Sequence, residues 1–289
     1  MFSSIGIGIL KGISHLPFRI LYAISDLTYY IVYYVLKYRR TTVYKNLRNS
    51  FPEKSDSEIE AIAKRYYRHL CDLIVEGIKT YSISREEIMD RLHVLNPEEL
   101  TKWSDLGRST VSVLGHYGNW EYAALGYTAM KQRHEIQNIT YKPISDPAFN
   151  SLFLYTRSRF GAHMLSMKET FIRVAHEQRD QILSNIILVS DQTPSKHHGY
   201  WMEFLNQDTP LFLGAEKIAK RYNMPLVFVH LNRVKRGFYE VTLETIHENP
   251  SETKDGELTE LHTQVLETDI KNNPEIWLWS HKRWKHSRP

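Results

Sequence analysis

From residue 109 onward the chain alternates short apolar runs with helix-length amphipathic stretches, which restricts it to an α/β sheet with covering helices. The spacing predicts strands over 109–115 (STVSVLG), 135–142 (EIQNITYK), 185–190 (NIILVS), 225–234 (PLVFVHLNRV) and 237–246 (GFYEVTLETI). Helices are expected over 119–133, from Asp146-Pro147 to Phe160, over 168–178, over 214–223 and over about 256–272. Upstream, residues 56–80 read as a helix capped by Asp56 or Ser55. Asn96-Pro97 reads as the cap and first-turn proline of a short helix ending at Trp103. The expected fold class is α/β, a mixed central sheet flanked by helices, with an N-terminal membrane-associated helix.

That N-terminal expectation rests on residues 18–36, FRILYAISDLTYYIVYYVL. The stretch is long enough to cross a bilayer at about 20 residues per span. It also holds Arg19, Asp26 and the tyrosines at 22, 29, 30, 33 and 34. Charges are costly in hydrocarbon and tyrosines favour the headgroup layer, so an interfacial or shallowly inserted helix fits better than a span. An aromatic-rich helix in a soluble core is the alternative. No signal-peptide layout is present.

The net charge of +4 is modest but unevenly spread. Residues 37–48, KYRRTTVYKNLR, carry five basic residues and no acid, and the closing HKRWKHSRP carries four Lys or Arg and two His. Such patches suit an anionic partner: phospholipid headgroups, a phosphorylated substrate or an acidic carrier protein. No RNA- or DNA-binding pattern accompanies them, so nucleic acid is not an expected partner. The single cysteine, Cys71, excludes an internal disulfide and a multi-cysteine metal site. His197-His198 lacks a third ligand in sequence, so no metal is expected. There is no G-x-S-x-G elbow and no Walker loop, and GIGILKG near the N-terminus has no preceding strand.

Five histidines are followed five residues later by glutamate: His93 and Glu98, His116 and Glu121, His198 and Glu203, His247 and Glu252, His262 and Glu267. Spacing alone therefore decides nothing. Only His116 stands at the carboxyl end of a buried-looking strand, with Glu121 inside the next helix, at the sheet edge where α/β sites gather. Two readings stay open there: a general base whose second ring nitrogen is held by Glu121, or a buried, hydrogen-bonded histidine. Gly115 and Gly118 are expected to let the backbone approach a substrate closely.

HYGNWE resembles the His-x4-acid motif of bacterial lipid A secondary acyltransferases, the lauroyl/myristoyl transferases of the lysophospholipid acyltransferase superfamily. TYKP at 140–143, RSRFG at 157–161, VSDQTP at 189–194, the segment from FLNQDTP at 204 and the closing EIWLWSHKRWK follow in that family's order, so the likeness spans nearly the whole chain. The resemblance implies a membrane anchor over 1–48 and an acyltransferase domain over 49–289. It implies His116 as general base with Glu121 as its partner, and no cofactor. Lys142, Arg157 and Arg159 would hold phosphate or the developing oxyanion, or are ordinary surface charge. Asp191 and Gln192 would line the pocket, with Asp191 equally able to cap a turn, while Arg283 would touch substrate or serve structure. The implied donor is an acyl group on acyl carrier protein, the acceptor a phosphorylated glycolipid precursor, and the location the cytoplasmic face of the inner membrane. Another membrane lipid as acceptor, or a noncatalytic lipid-binding protein, are the competing readings.

Overall fold

The computed structural model describes residues 4–130, 135–195 and 199–288. Helices α1 (Ser4–Ser14), α2 (Phe18–Tyr30) and α3 (Arg40–Ser50) precede the long α4 (Asp56–Lys79), and a π-helical turn, Ile31–Val35, extends α2. Next come α5 (Arg85–Arg91), β1 (Leu92–Val94), α6 (Glu98–Asp105), β2 (Thr110–Leu114), α7 (Trp120–Ala129) and β3 (Ile136–Tyr141). The chain continues through α8 (Pro147–Ser158), β4 (His163–Ser166), α9 (Met167–Arg179), β5 (Ser184–Val189), β6 (Tyr200–Phe204) and β7 (Gln207–Leu211). It ends with α10 (Gly214–Tyr222), β8 (Leu226–Lys235), β9 (Phe238–His247) and α11 (Glu257–Asn272). The local signals act as expected: Ser55 caps α4 in a capping box, and Asp146 caps α8 ahead of Pro147. Asn96 does not cap α6; its side chain exchanges hydrogen bonds of 2.8 and 2.9 Å with the Leu243 backbone instead. The expected end of the 119–133 helix and the His197-His198 pair lie outside the described residues.

Seven strands form one sheet in the order β1-β9-β8-β2-β5-β3-β4, every neighbouring pair parallel except β8 and β9. Alternation along the strands divides the core between the two faces. Val111, Val113, Ile186 and Phe228 pack with α4, α10 and α11, whereas Ile187, Val227 and Ile139 pack with α5, α6 and α7. The hairpin β6–β7 stands apart as a two-stranded sheet, its turn made by Leu205 and Asn206 at φ 52° and 60°.

Among the described residues no helix is long and apolar enough to cross a membrane. Helix α2 and its extension divide their faces: Leu21, Ser25, Tyr29 and Tyr33, four apart, are buried, while Ile20, Ile24, Leu27, Tyr30, Ile31, Tyr34, Val35 and Leu36 are exposed. Asp26 is not left for hydrocarbon. Arg236 bridges it at 2.7 Å to Asp72 of α4 at 2.6 Å, and Ser25 donates to the same Asp72 at 2.6 Å.

Candidate functional site

Strand register builds the centre of the site. β2 and β5 pair in parallel with Leu114 opposite Val189, so continuing both strands by two residues brings His116 opposite Asp191. The Ser190 N–H still donates to the Leu114 carbonyl at 2.9 Å, and the His116 N–H then donates to Asp191 Oδ2 at 2.9 Å. The imidazole follows: His116 Nδ1 lies 2.5 Å from Asp191 Oδ1. Trp277 Nε1 donates to Oδ2 at 2.8 Å, so the buried carboxylate faces three donors. Burial alone would raise the Asp191 pKa, but the His116 ring, its backbone N–H and the nearby Arg283 outweigh it and hold the carboxyl well below its ordinary range. On the other side of the ring the Gln192 amide donates to Nε2 at 3.1 Å. These partners favour one tautomer, Nδ1–H toward Asp191 and an Nε2 lone pair that accepts from Gln192, which is the form a general base needs once Gln192 gives way.

The turn from His116 into α7 is braced from several sides. Gly118 N–H donates to Ile276 O at 2.9 Å, Leu278 N–H to His116 O at 3.1 Å, and His69 Nε2 to Gly118 O at 3.3 Å. Gly118 has φ +60°, and a Cβ there would lie 2.8 Å from Leu231 Cγ. At Gly115 a Cβ would lie 2.6 Å from Leu266 Cδ1. Gly118 is therefore required by its positive φ and close packing, and Gly115 faces the Leu266 side chain. Asn119 caps α7, its Oδ1 accepting from Tyr122 N–H at 2.9 Å.

Glu121 does not reach back to His116 Nδ1, because Asp191 already occupies that position. From the first turn of α7 Glu121 points to α8, where Arg157 Nε donates to its Oε2 at 2.7 Å and Arg157 Nη2 pairs with Oε1. Burial raises the Glu121 pKa and this guanidinium more than offsets it, so the carboxylate stays ionised. Arg157 in turn lies over the Phe153 ring at 3.8 Å. Its pairing in sequence with Arg159 does not hold in space: Arg159 Nη1 donates to Thr80 O at 2.6 Å, at the end of α4. Lys142 is exposed just past β3. Arg283 is buried behind Asp191, and none of its guanidinium nitrogens has a hydrogen-bond partner among the described residues. Burial lowers its pKa to about 10, with Asp191 opposing the shift.

Beside these groups lies an apolar cavity between α7 and the sheet, lined by Leu114, Trp120, Ala123, Ile187, Val229 and Leu243 among others, with Arg157 at its wall. Trp120 joins cavity to base: its ring meets the His116 ring edge-on at 5.0 Å. The arrangement can take a proton from a hydroxyl group at Nε2, beside a small apolar cavity of about 40 Å³. Sequence reading missed one member of the site, Trp277, which donates to the carboxylate, and gave Asp191 a place lining the pocket where the structure sets it against the imidazole. The signal for Asp191 was present: VSDQ closes one apolar strand as VLGHY closes another.

Among the described residues no cluster of side chains suited to a metal ion occurs. The family described as bacterial lipid A biosynthesis acyltransferase matches residues 1–286. No curated protein matches the chain.

Proposed function

This chain belongs to the bacterial lipid A biosynthesis acyltransferase family, and from that membership we propose that it moves a fatty acyl chain from acyl carrier protein to a hydroxyl of a lipid A precursor, with His116 as base and Asp191 as its partner. The observation that supports the reading is the adjacency of an imidazole held by a buried carboxylate and a small apolar cavity sharing Trp120 as a wall. In the reaction His116 Nε2 takes the acceptor hydroxyl proton while its oxygen bonds to the thioester carbon. The C–S bond then breaks, and the carrier's thiolate takes back the proton. Asp191 stabilises the imidazolium between those events. Gln192, whose amide already stands at Nε2, is positioned to donate to the oxyanion once the hydroxyl displaces it. Glu121 acts by fixing Arg157 beside the cavity. The test is to incubate purified protein with acyl carrier proteins bearing different chains and a phosphorylated lipid A precursor, and to weigh the products. A gain of one acyl chain supports the reading; a gain only on other lipid acceptors replaces the acceptor but keeps the chemistry. Gln192→Ala is expected to lower kcat by roughly tenfold to 10²-fold with KM little changed, and an unchanged kcat removes Gln192 from the oxyanion role.

The same reading accounts for the N-terminal face. The exposed apolar strip of α2 is continuous in sequence with Lys37, Arg39, Arg40, Lys45 and Arg48, some of which line a basic depression with Tyr44. Arg39 and Asn46 donate to carbonyls of Ser280 and Trp279 at 2.9 and 3.0 Å, so this face adjoins the segment that braces Asp191. Each exposed isoleucine- or leucine-sized side chain contributes about 1.5–3 kcal/mol on burial and each nearby basic residue about 1 kcal/mol at an anionic surface. A few of each hold the protein on a membrane without a span, at the cytoplasmic side where acyl carrier protein is found. Replacing Ile31 and Val35 together by Asp should reduce binding to anionic phospholipid vesicles by about tenfold or more while the melting temperature stays near wild type. Unchanged vesicle binding places the membrane contact elsewhere.

A further inference from the structure

We propose that Glu76 is a positioning residue for the transfer reaction: through Asn119 it holds the turn that carries His116, and through Tyr22 it ties that turn to α2. The proposal rests on the acyltransferase reading above. Glu76 lies in α4 and is 0% exposed. Its carboxylate gathers donors from three separate elements: Tyr22 of α2 at 2.9 Å on Oε1, and Tyr239 of β9 at 2.8 Å and Asn119 at 2.6 Å on Oε2. A carboxylate in a core is costly even when well bonded, and an apolar residue of similar volume would pack the same space at lower cost. Its presence calls for a role that a leucine cannot perform.

The geometry identifies that role. Asn119 Oδ1 is committed to the Tyr122 N–H, so only its Nδ2 can face Glu76, and the direction of the amide fixes where the turn leaves His116. His69, seven residues before Glu76 and therefore on the same face of α4, grips the neighbouring Gly118 carbonyl. The link to α2 is equally specific. Gly237 has φ +76°, and a Cβ there would collide with the Tyr22 hydroxyl, so the glycine makes room for the oxygen that reaches Glu76. Helix α2 through its half-buried Tyr22, the buried carboxylate and the start of α7 thus form one hydrogen-bonded chain.

Exchanging donor and acceptor tests this. Asn119→Asp keeps an acceptor for the Tyr122 N–H, and aspartate caps a helix as well as asparagine, but it sets an oxygen against Glu76 Oε2. Glu76→Gln combined with Asn119→Asp restores a donor facing an acceptor, with the Tyr239 hydroxyl turning to accept from the same amide. Asn119→Asp is expected to lower kcat by roughly tenfold or more with KM nearly unchanged, and the double variant should recover to within about threefold of wild type. The His116 ring signal in NMR spectra, assigned by its loss in His116→Ala, should move in Asn119→Asp and return in the double variant. Wild-type kcat in Asn119→Asp, no recovery in the double variant, or an unmoved His116 signal each overturns the proposal. If wild-type protein shows no transfer yet the His116 signal moves and returns, the positioning role stands and the assigned reaction fails.

Discussion

Asp191→Asn is expected to lower kcat by about 10²- to 10⁴-fold while leaving the fold intact. The reason lies in which oxygen the introduced asparagine must keep. Asp191 Oδ2 accepts from both the His116 backbone N–H and Trp277 Nε1. The amide oxygen of the new side chain has to take that place, since either N–H would otherwise face an NH₂ group. The NH₂ then lies where Oδ1 was, against His116 Nδ1. A donor there forces the imidazole into the opposite tautomer, with its proton on Nε2 and no lone pair for the acceptor hydroxyl. Loss of the carboxylate also leaves the buried Arg283 without its nearest countercharge, so a stability loss of about 1–3 kcal/mol is expected. Steady-state kinetics separates the effects, because a tautomer fault lowers kcat with little change in KM. Glu121→Gln, which keeps much of its bonding to Arg157, should cost about tenfold at most.

His116→Ala is expected to reduce turnover by roughly 10³-fold or more and to leave folding and membrane association near wild type. The side chain is at the mouth of the site, whereas the contacts that shape the turn are made by backbone: His116 N–H to Asp191, His116 O to Leu278 N–H and Gly118 O to His69. None of these needs the imidazole. The variant should therefore still bind donor and membrane, which distinguishes an enzyme from a noncatalytic lipid-binding protein that tolerates the change. Mass analysis of products, circular dichroism and vesicle flotation on one preparation give all three readings. Wild-type turnover in His116→Ala would falsify the general-base assignment.

The parts of the structure legible in sequence are those written locally. The Ser55 capping box, the Asp146-Pro147 start of α8 and the apolar run of β2 each carry their cause within a few residues, and each stands where expected. His116 was legible for the same reason, as a polar residue closing a buried strand. Its partner was not, because the pairing of β2 with β5 joins residues 75 apart and no local period records which strands become neighbours. The histidine–glutamate spacing pointed along the chain to Glu121, while the sheet supplied an acid from the side. α3 went unrecognised because its basic residues were read only as a patch for an anionic partner; Val43 and Leu47, four apart, are the apolar part of its buried face. The tyrosine-rich stretch at 18–36 was ambiguous between core and interface because one of its faces is buried and the other, with its apolar side chains, is exposed.

The central claim, that His116 paired with Asp191 carries acyl transfer to a lipid A precursor, is tested most directly by one comparison. Wild type, His116→Ala, Asp191→Asn and Glu121→Gln are incubated in parallel with acyl carrier protein substrates and the phosphorylated precursor, and initial rates of product formation are read by mass spectrometry. The account predicts addition of one acyl chain by wild type, loss of that product in His116→Ala, and a far larger loss in Asp191→Asn than in Glu121→Gln. Asp191→Asn turning over near wild type while Glu121→Gln is as inactive as His116→Ala would contradict it.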